Sequence, residues 1–150
     1  MKSSNTPYYI SSRKLLYALC ALSINSLRAP ITIIESTTQL EKELASNAYT
    51  VVEFYADWCH VCHSIQKPFE LVANNGEFQK KVLFAQVDID KHKNLKTKYG
   101  VLGVPTFVYF ENGKKKQQDM GVHNMANFKE ELRMAIKKHF KLAHNTPTIK

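Results

Sequence analysis

Two cysteines separated by two residues, Cys59-His60-Val61-Cys62, are the groups whose types and spacing most directly support chemistry in this chain. The apolar and aromatic run Val51-Val52-Glu53-Phe54-Tyr55 leads into them, and Ser64 to Ala73 reads as a helix behind them. A strand running into a cysteine pair at a helix start is a redox arrangement. Unpaired N–H groups of the first helical turn, with the positive end of the helix dipole, stabilise a thiolate. Cys59, expected at the exposed mouth of that turn, is the candidate nucleophile, and Cys62, one turn on, is the candidate resolving thiol. A free thiol titrates near pH ~8.5, whereas Cys-x-x-Cys thiols fall to roughly 3.5–7.5, so thiolate is present near neutrality.

The same residues admit two other chemistries. His60 and His63 could join the cysteines around zinc, but four ligands crowded onto one helical turn do not surround a metal readily, and no metal site is expected. Cys59-His60-Val61-Cys62-His63 also fits the Cys-x-x-Cys-His signature of covalent haem attachment, with His63 as axial ligand. The buried strand ahead of the motif favours the redox turn over a haem electron carrier.

The elements that must position this turn follow from pattern. Ile31–Ile34 is a short strand, and Thr38 can cap a helix through a capping box with Glu41, placing Leu40 and Leu44 on one face. Thr50–Tyr55 reads as a strand apolar on both faces except at Glu53. The motif helix ends near Asn74-Asn75-Gly76, and Val82–Asp88 is the next strand. Asp90 can cap a short helix closed by Gly100. Thr106–Phe110, the turn Asn112-Gly113 and the returning Lys115–Val122 form a hairpin. Asn124 caps a last helix carrying Met125, Phe128, Leu132, Ala135 and Ile136 at helical spacing. Alternating strands and helices imply parallel pairing, and the hairpin adds antiparallel strands. The fold class is therefore α/β, a mixed sheet of about five strands flanked by four helices.

With 150 residues, 44% apolar and 23% charged, the chain suits one globular domain. The net charge of +8 is spread out, with short clusters at Lys114–Lys116 and Lys137-Lys138; it reads as a solvated basic surface, and no nucleic-acid motif accompanies it. Three cysteines suit a catalytic pair better than a disulfide scaffold. Residues 1–30 differ from the rest: Lys2, Arg13 and Lys14 precede the apolar run Leu15–Ile24, which contains Cys20. The run is shorter than the ~20 residues that span a bilayer, and its charge-then-apolar order matches a secretory signal peptide. Residues 1–30 are thus expected to be a signal peptide or N-terminal extension, 31–142 the folded domain and 143–150 a polar tail. Export, for example to a periplasm, is the expected destination, with a cytoplasmic protein as the alternative.

Three stretches carry a resemblance to the thioredoxin family over about residues 31–140. Phe54-Tyr55-Ala56-Asp57-Trp58-Cys59-His60-Val61-Cys62 is similar to its active-site strand and turn. Tyr99-Gly100-Val101-Leu102-Gly103-Val104-Pro105-Thr106 is similar to the segment with its cis-proline, and Phe110-Glu111-Asn112-Gly113-Lys114 to the following hairpin. The first two also look like exported thioredoxins and the C-terminal domain of the DsbD-type electron conductor. The resemblance implies a thioredoxin fold and a thiol–disulfide oxidoreductase, acting as a reductant on protein disulfides. No cofactor beyond the Cys59–Cys62 disulfide is implied. An upstream electron donor and a monomeric, non-spanning protein are implied as well. Trp58 matches a tryptophan that shields the site, and Val104 a residue whose backbone meets substrate beside Pro105. Glu53 stands where the family often has a buried aspartate serving the second thiol, a proton relay with one methylene more reach. His60 and Val61 would tune the pair. Pro68 is one position later than the family's helix proline. The alternative is a binding or assembly module that keeps the fold without turnover.

Overall fold

The computed structural model describes residues 31–142. The proposed signal segment with Cys20, and the tail from 143 to 150, lie outside the described residues. In chain order the elements are β1 (Thr32–Ile33), α1 (Thr37–Ser46), β2 (Tyr49–Tyr55), α2 (His60–Ala73), β3 (Val82–Asp88), α3 (Lys93–Tyr99), β4 (Thr106–Glu111), β5 (Lys114–Met120) and α4 (Phe128–Phe140). One sheet has the order β1-β3-β2-β4-β5. The β1–β3 and β3–β2 pairs are parallel, and β2–β4 and β4–β5 are antiparallel. This is the expected mixed sheet with four α-helices.

The order puts β2 in the centre, where both of its faces must be covered. Val52 and Phe54 join Leu40, Leu44, Val87, Leu95 and Phe110 in one cluster, which α1 and α3 cover. Val51 joins Ile65, Phe69, Phe84, Phe107, Phe128 and Ile136 in another, covered by α2 and α4. Each fully buried side chain of this size is worth roughly 1.5–3 kcal/mol, so the two-sided burial of β2 anchors whatever its end carries. The hairpin turn has φ of 49° at Asn112 and 76° at Gly113, the positive pair expected of a two-residue turn matched to strand twist.

Three helix starts differ from expectation. Ser36, rather than Thr38, caps α1, its side chain accepting from the Gln39 N–H at 3.1 Å. The Gln39 side chain in turn accepts from the Glu35 N–H at 2.7 Å, so the reciprocal pairing lies two residues upstream of Ser/Thr-x-x-Glu as read from Thr38. The N-cap of α3 is His92, with no side-chain cap bond, because Asp90 is engaged elsewhere. Asn124 caps a short 3₁₀ turn, Met125–Asn127, with α4 following it. Gly100 closes α3 in the left-handed conformation (φ 67°), as expected.

Candidate active site

β2 delivers Ala56-Asp57-Trp58 to the end of the sheet, and α2 begins at once with Cys59 as its N-cap. The backbone at Cys59 is extended, and its Sγ accepts from the Cys62 N–H at 3.1 Å. One orphan donor of the first turn is thus satisfied by sulfur, the arrangement that stabilises a thiolate after reduction. Cys59 and Cys62 are joined in a disulfide, with Cα atoms 5.3 Å apart. Contrary to expectation, Cys59 is not at an exposed mouth. It is 6% exposed and Cys62 is 5% exposed. As an N-cap, Cys59 turns its sulfur inward over the helix, leaving Trp58, His60 and Val61 as the exposed rim.

Trp58 is 64% exposed, and its ring N–H donates to Asp90 Oδ2 at 2.8 Å. Asp90 therefore tethers the active-site turn to the loop after β3 instead of capping α3. Its own N–H donates to Asp88 Oδ1, which fixes the loop that supplies it. His60 opens α2, its carbonyl accepting from Ser64 Oγ–H at 2.9 Å. His63 Nε2 lies 2.6 Å from the Asp57 carbonyl oxygen, a contact in which the nitrogen must donate. The same nitrogen cannot then offer a lone pair to a haem iron. Among the described residues, no group of three or more His, Cys, Asp or Glu side chains is placed to hold a metal ion. Pro68 lies inside α2.

The Val104–Pro105 peptide bond is cis, as the resemblance implies. Thr106 Oγ–H donates to the Gly103 carbonyl at 2.7 Å across this turn, and the Pro105 carbonyl accepts from the Gly121 N–H at 2.8 Å. Val104 is half-buried and packs on the hydrophobic cluster to which Cys59 and Cys62 belong. Next to it, Leu102 is almost fully exposed.

Glu53 lies in the central strand with no exposed surface. Gln86 Nε2–H donates to its Oε2 at 2.8 Å, while Oε1 has no hydrogen-bond partner in the protein. Burial pushes the carboxyl up to about 7, and the Gln86 hydrogen bond opposes that rise. Glu53 and Cys62 share a cavity of about 220 Å³, lined also by Tyr55, Asp57, His63, Gln66 and Gln86. Such a volume holds more than one water. The structure thus brings Glu53 and Cys62 to one cavity.

Sequence reasoning missed Gln86, and the signal was present. It is the one uncharged polar residue in β3, and it pairs in register with Glu53 of β2. The Asp90 tether and the His63–Asp57 contact were also missed, since each depends on loop geometry.

A family model described as Thioredoxin matches residues 31–138. The chain is similar to a thioredoxin of Mycoplasmoides gallisepticum, 31% identical over 67% of this chain and 97% of that one. It is also similar to the protein disulfide isomerase-like 2-1 of Oryza sativa subsp. japonica, 40% identical over 55% of this chain but only 22% of that protein. The chain therefore corresponds to less than a quarter of that relative. Among solved structures, a thioredoxin from Trypanosoma brucei brucei superposes with TM-score 0.62 at 33% identity, covering 74% of this chain and 96% of that one. With the family model spanning most of the chain, over the residues that build the sheet, the disulfide turn and the cis-proline, this chain belongs to the thioredoxin family.

Proposed function

We propose that the chain is a protein thiol–disulfide oxidoreductase that works as a reductant, cycling Cys59 and Cys62 between dithiol and disulfide. The observation that carries this reading is the Cys59–Cys62 disulfide at the start of α2, where the helix N-terminus donates to the Cys59 sulfur. In the reduced protein the Cys59 thiolate attacks a client disulfide, forming a mixed disulfide and releasing one client thiolate. Cys62 then loses its proton and attacks Cys59. The Cys59–Cys62 bond forms, the second client sulfur leaves, and two electrons have passed to the client. Glu53 takes the Cys62 proton through cavity water. A carboxyl that titrates near neutrality can both accept and return a proton at working pH. Trp58, Val61 and Leu102 offer an exposed apolar rim to the client, and the Val104 backbone meets an extended client segment beside Pro105.

Reductant, rather than oxidant, follows the resemblance to thioredoxins, and the potential decides it, since the family spans about −270 to −120 mV. Residues 1–30 direct export, and an electron donor in that compartment restores the dithiol. The domain acts as a monomer, and none of its described helices is long and apolar enough to cross a membrane. His60 and Val61 set the potential from the intervening positions.

The test is insulin reduction under a reducing couple. Turnover abolished by Cys59→Ser, a client trapped by Cys62→Ser, and a low potential support the reading. No turnover by the native protein, with a stable disulfide, would establish a binding module instead.

A further inference from the structure

The buried carboxyl of Glu53 has two oxygens in different circumstances. Oε2 receives the Gln86 amide N–H at 2.8 Å, and Oε1 receives nothing from the protein. A protonated carboxyl has one oxygen that only accepts and one that donates its hydrogen. An amide NH₂ group only donates, so the oxygen facing it must remain an acceptor whether the carboxyl is charged or neutral. The exchangeable proton is thereby confined to the other oxygen. We propose that Gln86 is the positioning residue of this site: by holding Oε2 as an acceptor it keeps the Glu53 proton on Oε1, the oxygen without a partner in the protein, on a residue that lines one cavity with Cys62.

This rests on the relay reading above and deepens it. The register supports it, because Glu53 and Gln86 are paired across β2 and β3 and Gln86 is itself only 9% exposed. Neither side chain has a competing side-chain partner among the hydrogen bonds of the described residues. The groups facing Glu53 across the cavity are Cys62, His63 and Gln66 from α2, Tyr55 from β2, and Asp57 from the turn between them. Of these, Asp57 and a protonated His63 are the charges, and both are exposed at the rim. No cation pairs with Glu53 among the described residues, which leaves the amide as its one polar partner in the protein. In the resolving step Cys62 S–H gives its proton to the Glu53 carboxylate by way of water. The Cys62 sulfur bonds to Cys59, the Cys59–client bond breaks, and the departing client thiolate is protonated from Oε1 by the same route. Cys59 and Cys62 are oxidised and the client is reduced, with the proton returned.

The test is a carboxyl-carbon NMR titration of the oxidised protein, in which both thiols are locked, comparing native protein with Gln86→Met and Gln86→Lys. Glu53→Gln identifies the resonance. Removing the donor in Gln86→Met moves the Glu53 midpoint up by about one pH unit, the size expected for losing a hydrogen bond to a charged group. Gln86→Lys, which keeps a donor and adds charge, leaves it at or below the native value. The pH profile of insulin reduction moves with the resonance. A midpoint unmoved in Gln86→Met overturns the proposal. A downward move does so too, because it means the amide carbonyl faces Glu53. If Gln86→Met fails to fold, a Gln86→Lys midpoint above the native value overturns it equally. Should the resonance move as expected while Glu53→Gln leaves the turnover profile unchanged, Gln86 governs the proton but the relay reading fails.

Discussion

Replacing Glu53 by glutamine isolates the cost of a charge in the centre of the sheet. The carboxyl titrates at about 7 in the fold against 4.5 for a free glutamate. Between those two values the native state keeps a proton that the unfolded chain has released. Stability therefore falls as pH rises through this window and levels off above it. At about 1.4 kcal/mol per pH unit, the loss for this one group is about 3 kcal/mol, fully developed by pH ~8.5. Glutamine has the same shape and cannot ionise, so Glu53→Gln lacks that decline. The variant brings its own fixed cost, since one of its amide groups faces an unpartnered position. That cost is the same at every pH and cancels in the comparison. Denaturant unfolding of the oxidised proteins at about pH 5 and pH 8.5 supplies the measurement, with the disulfide removing thiol titration and the histidines common to both proteins. The native protein is expected to lose about 2.5 kcal/mol relative to the variant between the two pH values, since part of the loss is already present at pH ~5. Parallel profiles, agreeing within about 0.5 kcal/mol, would refute the claim that burial governs this carboxyl.

Trp58→Phe removes the 2.8 Å bond to Asp90 at an exposed site. It should cost under ~1 kcal/mol in urea unfolding yet raise KM for insulin several-fold with kcat little changed. Gly100→Ala places a side chain at φ +67° with no atom within 4 Å of the new Cβ, so its cost is conformational only, about 1 kcal/mol. Gly76→Ala, equally open but without a positive φ, should be near neutral, and thermal melts of both check the contrast. Glu77 pairs with Arg133 at 3.0 Å and with the buried Lys137, joining the loop after α2 to α4. Burial works to raise its carboxyl, but the hydrogen bonds from Lys137 and Arg133 outweigh that and hold it below the usual range. Its contribution is thus present above the ordinary carboxylate pKa and lost as pH falls through the lowered value. Glu77→Ala, leaving Lys137 unpaired, should destabilise by about 2 kcal/mol at neutral pH and by less under acid conditions.

The sequence by itself determined the elements whose signals are local. The apolar run into Cys59-His60-Val61-Cys62, the Asn112-Gly113 turn and the Gly100 helix stop each depend on a few neighbouring dihedrals, and all three lie where the pattern places them. Alternation of strands and helices then limited the architecture, because three strand–helix units must pair in parallel. The caps were less legible: Ser36 and Thr38 are both competent within one turn, and which hydroxyl wins depends on where the chain leaves β1. Only the tertiary structure decided what Glu53 is for. Its carboxylate chemistry is set by complete burial and by an amide from a strand that is adjacent in space and 33 residues away in sequence. The same is true of Asp90, a helix cap by local pattern and a tether for Trp58 in the fold. Position along a chain fixes backbone geometry, whereas acidity and hydrogen bonding depend on dielectric and on partners that distant segments bring. In the cysteine turn the first made the sulfurs neighbours, and the second supplied the cavity, the carboxyl and the amide around them.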